Sequence, residues 1–211
     1  MATTTNYGWT TPDNTDLVKD GAAAIRTLGS SIDTSMNAAL GTKKAGMVLL
    51  NTTSFSAVAS QSVNDVFSAT YDNYRILINV TSSANDKFRL RMRVSGADNT
   101  TSNYSNHMSL LSSASISYLG QLATAATSFL ITSADGTNSV KGVDLTIYNP
   151  FLSERSLITG IHVCSGTSGG TAYFGGTTTG ALNLTTSFTG FTIFPESGTA
   201  TGSVSVFGVN K

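Results

Sequence analysis

The chain has 211 residues, with 12 basic and 12 acidic side chains and only 11% charged residues. That length allows one well-buried core, or one domain with an appendage. The even, sparse charge excludes a basic nucleic-acid-binding surface and an acidic solvating tail. Free monomers rely on net charge to stay apart, so a neutral surface suits a subunit held in an assembly.

Residues 1–12 form a polar arm that carries Tyr7 and Trp9, the latter the only tryptophan in the chain. A large aromatic anchor on a chain terminus raises the question of what covers it. The start lacks a basic segment followed by an apolar run, so no secretory leader is expected. No stretch approaches 18 apolar residues, so no membrane insertion is expected either.

Residues 13 to about 40 read as a helix. Asp13, Asn14, Thr15 and Asp16 offer N-cap oxygens behind Pro12, and Gly41 is a plausible stop. Apolar residues recur at seven-residue steps, Val18, Ile25, Ile32 and Ala39 at one seam position and Gly21, Leu28 and Ser35 at its companion. About 24 residues would span roughly 36 Å. Gly21 and Gly29 each cost about 1 kcal/mol in a helix interior, so this helix is weak alone. Two readings follow from the pattern. The helix lies across the rest of the protein, or identical helices gather around a symmetry axis through Val18, Ile25, Leu28 and Ile32. The seam residues themselves allow two copies or three.

From Gly46 onward the chain reads as strand and turn. Thr (32), Ser (29) and Gly (20) dominate the composition, and Thr favours strands while Ser and Gly supply turns. Strands are expected at 47–50, 66–69, 74–80, 88–94, 115–119, 128–132, 140–148, 157–164, 172–174, 189–194 and 203–209. Spacing near ten residues indicates an antiparallel sandwich or barrel. In "KFRLRMRV" Arg89, Arg91 and Arg93 share one face and Leu90, Met92 and Val94 the other. The arginine face is either solvated or set against an acidic partner such as a host glycan. Asp135-Gly136 marks a hairpin. "TSGGTAYFGGTTTG" reads as a surface loop, because no helix follows it to cradle phosphate. The expected organisation is 1–45, an arm and a helix, then 46–211, an antiparallel β-sandwich or barrel.

No reactive constellation assembles. The histidines are His107 and His162. His162 and Cys164 lie two apart on a strand, where a buried structural pair is the better reading, since two ligands make no zinc site. Cys164 is the only cysteine, so there is no intrachain disulfide framework. No G-x-S-x-G, P-loop or EF-hand spacing occurs. The carboxylates are scattered, whereas a glycosidase needs two that converge. No catalytic residue, metal site or cofactor is expected.

The opening "NYGWTTPDNTDLVKDGAAAIRTLGSSID" resembles the N-terminal segment of many tailed-bacteriophage fibre and appendage proteins. "ASQSVNDVFSATYDNYRILINV", "IYNP" and "FTGFTIFPESGTATGSVSVFGV" look like the C-terminal β domain of such proteins. The repeats that typically separate the two ends are missing. The resemblance implies a homotrimeric, non-enzymatic virion protein. Its arm, with Tyr7 and Trp9 as the docking plug, would bind another virion protein, and its jelly-roll-like β-sandwich would project toward a host-surface glycan or protein. A head fibre or capsid decoration protein, a carbohydrate-binding module and a glycan-degrading tailspike are the alternatives.

Overall fold

The computed structural model describes residues 2–15, 17–38, 46–112, 115–133, 137–165 and 173–211. The chain divides into two compact units, Met1–Gly46 and Met47–Lys211.

In the N-terminal unit the extended arm returns on itself. β1 (Ala2–Thr3) and β2 (Thr10–Thr11) pair antiparallel, with Ala2 opposite Thr11. The backbone N–H of Thr4 donates to Trp9 O and that of Gly8 to Thr4 O, both at 2.9 Å. Gly8 sits at φ +65°, where a residue with a Cβ is strained. A 3-10 turn, Val18–Asp20, then leads into α1 (Gly21–Met36). The expected helix start is corrected here. Residues 14 and 15 lie in a turn, and neither Leu17 nor Asp20 caps its helix through a side chain. Asn, Asp and Thr side chains serve turns as readily as caps, which is why their cluster misleads. Asp16, Ala39 and Gly41 lie outside the described residues. Sixteen helical residues span about 24 Å.

The second unit is a sandwich of two antiparallel sheets. One sheet runs, in spatial order, β3 (Met47–Val58), β15 (Ala200–Val209), β5 (Asn73–Ser82), β11 (Val140–Tyr148), β12 (Ser156–Cys164), β13 (Phe174–Leu182), β8 (Tyr104–Ser112) and β9 (Ser115–Ala126). The other runs β10 (Phe129–Leu130), β6 (Phe88–Val94), β14 (Gly190–Pro195) and β4 (Gln61–Val63), with β7 (Ala97–Asp98) beside β6. Four antiparallel pairs nest inside one another: β5 with β15, β6 with β14, β8 with β13, and β11 with β12. This is a long hairpin folded over on itself, the jelly-roll-like feature of the fold. Ile76, Ile78, Leu145 and Ile147 of the larger sheet and Leu90, Met92, Phe191 and Ile193 of the smaller belong to one buried cluster.

Strand alternation produces that cluster. Inward residues of β5 (Tyr74, Ile76, Ile78, Val80) and of β6 (Phe88, Leu90, Met92) are closed to solvent. Tyr74 keeps its hydroxyl satisfied by accepting from Ser68 N and donating to Ser68 O. Buried Asn106 on β8 ties the sheets together. Its Nδ2 donates to Ser128 O at 2.9 Å, and its Oδ1 accepts from Leu130 N at 3.1 Å.

Several strand expectations are corrected. Residues 66–69 are not a strand. Val66 and Phe67 are buried, and both their N–H groups reach Thr189 O. β8 was absent from the expected set, because "YSNHMSLLS" shows only a broken alternation. The glycine-rich stretch read as a loop is a strand from Phe174 onward, while residues 166–172 and the Asp135-Gly136 pair lie outside the described residues.

Candidate functional site

In the N-terminal unit the two aromatics act together. Trp9 folds back toward α1, and its indole N–H donates to Ser35 Oγ at 2.9 Å. Tyr7 stacks on Trp9, with ring centroids 5.0 Å apart and planes 15° off parallel. Trp9 is half-buried, whereas Tyr7 is 72% exposed. The arm therefore presents a braced aromatic tip, anchored through Trp9 and open at Tyr7.

The helix seam is split. α1 packs against β2, and the side of the helix bearing Ala24, Leu28 and Ser35 is buried or half-buried. Ile32 is half-buried as well. Val18 and Ile25, one heptad apart, are 97% and 64% exposed. The hairpin thus covers the companion positions, and part of the main row stays open. Val18 lies in the 3-10 turn and Ile25 on α1, and both β-branched side chains meet water.

In the β unit the arginine face is internally paired. Arg89 pairs with Glu196. Arg91 lies over the Phe194 ring, 4.5 Å from its centroid. Arg93 pairs with Asp98 and donates from Nε to Asn64 Oδ1 and from Nη1 to Thr192 Oγ1, each at 2.9 Å. Arg89 and Arg93 thus have carboxylate partners, whereas Arg91 meets the Phe194 ring and donates from Nε to Thr127 O at 3.2 Å. His162 and Cys164 are both buried, on the inward face of β12. His107 is exposed. Among the described residues no group of three His, Cys, Asp or Glu side chains is placed to hold a metal ion. No helix there is long and apolar enough to cross a membrane.

Strand register gives the β unit two distinct ends. Met47, where the chain enters, pairs with Val209, which also pairs with Asn73. Tyr148, Leu182 and Tyr104 lie at the same end. The opposite end collects Ser82, Ala200, Val140, Cys164 and Phe174. Its described rim includes Asp86, Ser165, Tyr173 and Ser197. Burial pushes the Asp86 carboxyl up, but hydrogen bonds from Ser197 and from the Lys87 backbone outweigh it and hold the group below the usual carboxylate range. Among the described residues of this rim, the exposed aromatic is Tyr173.

One apolar surface is not marked by strand alternation. β12 carries Leu157, Ile161 and Val163 outward while His162 and Cys164 point inward. The signal is the run "LITGIHVC", apolar in both phases of the strand. Strands buried on one face alternate, and continuous apolar runs belong to strands covered on both.

No protein-family model matches the chain, and no curated protein is detectably similar to it.

Proposed function

We propose that the chain is a non-enzymatic bacteriophage virion protein, a short tail fibre assembled in the host cytoplasm. It docks on the particle by its N-terminal arm, gathers as a homotrimer along its helix, and projects its β-sandwich for host attachment. The observation that carries this reading is the uncovered apolar equipment of the N-terminal unit, Tyr7 on its Trp9 brace and the Val18–Ile25 row. A side chain of that size gains about 1.5–3 kcal/mol when fully covered. Trp9 is already ordered, so docking spends less on immobilising the tip. Three linked arms raise the effective concentration of each, and a modest plug then holds firmly.

The two-ended β unit supports the same reading. Within the β unit itself, the Asp86–Ser197 side of the rim opposite the Met47 end would meet a host-surface glycan or protein. Against an enzyme stand the scattered carboxylates. A head fibre or decoration protein would use the same arm without needing the rim.

Deleting residues 1–12 tests the docking role. The expected result is a chain whose β unit stays folded but which no longer enters particles. Normal incorporation of the truncated chain overturns it. Binding of the purified protein to host cells, competed by free glycan, separates the fibre from the decoration protein, which would not bind.

A further inference from the structure

We infer that the outer face of the eight-stranded sheet, centred on Gly142, is a self-association surface that meets a second copy of this chain. Self-association here stands whether or not the chain docks on a particle.

The register lays the face out in rows. Leu77 of β5, Asp144 of β11 and Ile161 of β12 are side by side, and Asn79, Gly142, Val163 and Gly175 form the next row. Val163 therefore stands between two glycines. A Cβ at Gly142 would lie 3.4 Å from Val163 Cγ1, so any side chain there would fill the space that glycine leaves. Two adjoining grooves result, of about 310 and 320 Å³, sharing Gly142 and Val163. Leu77 and Ile161 wall the first, and Val140 and Tyr173 wall the second.

These walls are open to water, with Ile161 60% and Val163 56% exposed. Leu77, Val140, Ile161, Val163 and Tyr173 together leave on the order of 500 Å² in solvent, near the top of the range for the largest patch on a monomer. Two such patches set face to face, a two-fold contact distinct from the gathering of helices, remove about 1,000 Å² when fully covered, the floor for a specific interface.

Three observations point to a copy of the same chain as the occupant. The patch carries no unspent charge. Its carboxylate, Asp144, accepts from Arg75 Nε at 2.9 Å and forms an ion pair with the same guanidinium, so two like faces meet without repulsion. The chain as a whole is neutral, which removes the long-range barrier between copies. The N-terminal unit of the same chain exposes a second apolar row at Val18 and Ile25, and a repeated chain is the simplest partner able to cover both.

Sedimentation equilibrium of the full chain tests the surface. Wild type should associate reversibly. Ile161→Asp with Val163→Asp should weaken association at least tenfold, with circular dichroism unchanged. Ile161→Thr, which any outward strand position accepts, should weaken it about threefold and carries the test if the double variant does not fold. Thr179→Asp, outward on β13 and outside the patch, should change nothing. In a Val18→Asp, Ile25→Asp background association should persist, weakened, and should vanish when Ile161→Asp is added. A wild-type chain that is monomeric at every concentration overturns the inference. So does an Ile161→Asp, Val163→Asp chain that associates like wild type, or a helix-seam variant already fully monomeric. A monomeric wild type whose patch is shielded by a host glycan or a foreign protein would assign the face to that ligand instead.

Discussion

In Met47–Lys211 every inward side chain of β5 from Tyr74 to Val80 is closed to solvent, and rings from both sheets interlock, Phe67 against Tyr74 and Phe191. In the N-terminal unit Ala24 is the one buried apolar residue among the described residues, while Val18 and Ile25 face water. The contrast follows from size. A segment of under 50 residues buries too small a fraction of its surface to offset chain entropy alone, whereas about 165 residues suffice for an independent core. The β unit holds itself together, and the N-terminal unit is finished by what it binds. Substitutions that act on one unit and spare the other are the way to break this division.

The largest effect is expected in the β core. Phe191 is fully buried, and Phe191→Ala should cost about 3–5 kcal/mol, the transfer term plus a cavity. A urea titration followed by circular dichroism reads it directly. A loss below about 1 kcal/mol would mean that the sandwich does not depend on this cluster.

Next comes the helix row. Val18→Asp with Ile25→Asp should leave the β-unit urea midpoint in place and weaken self-association about a hundredfold, as two apolar side chains lose their cover. A shifted midpoint would show that the units share stability and would undo the division drawn above.

The third effect is a pH dependence confined to the β unit. Burial pushes the Tyr104 hydroxyl up to about 12, from an ordinary 10.0. That hydroxyl accepts from Met92 N at 3.1 Å and donates to Asn99 O at 3.0 Å. A raised pKa means the unfolded chain loses this proton first. The contribution is therefore whole below about pH 10 and is lost as pH rises toward 12, at up to about 1.4 kcal/mol per pH unit. Tyr104→Phe should flatten that alkaline decline, with about 1 kcal/mol lost at neutral pH for the missing hydrogen bonds. An unchanged alkaline slope in the variant would move the dependence to another group.

The sequence exposed the β unit where side chains alternate and hid it where they do not. "KFRLRMRV" and "VKGVDLTIY" fall on β6 and β11 as expected, because one face of each strand must be apolar. β13 escaped because "FGGTTTGAL" has few apolar residues. Its glycines answer instead to backbone approach, and a Cβ at Gly176 would lie 1.9 Å from Ser109 O. No local pattern encodes a neighbour some 65 residues away. The arginine face was legible as a face, but its internal pairing was not, since Glu196 and Asp98 reach it only through the fold. Tyr7 and Trp9 stood out as an anchor by residue type alone. The hydrogen bond that turns Trp9 back onto Ser35 depends on a hairpin built from Thr-rich segments of two residues each, too short to register as strands.

That hydrogen bond gives the smallest effect and the cleanest local probe. Trp9 is the only tryptophan, so its fluorescence reports on the hairpin and on nothing in the β unit. Ser35→Ala removes the acceptor from a half-buried indole N–H. Water can replace a partner at such a site, so the cost should be about 0.5 kcal/mol, the low end for a neutral hydrogen bond. The emission should move toward the red and quench more readily, with no change in the β-unit urea midpoint. If the tip docks as a braced pair, the same variant should also enter particles less efficiently than wild type, because ordering Trp9 is then deferred to the docking step. Unchanged fluorescence would show that stacking on Tyr7 and packing against α1 hold Trp9 without Ser35. A red shift with normal incorporation would show that the brace is dispensable and that the exposed face of Tyr7 carries the contact.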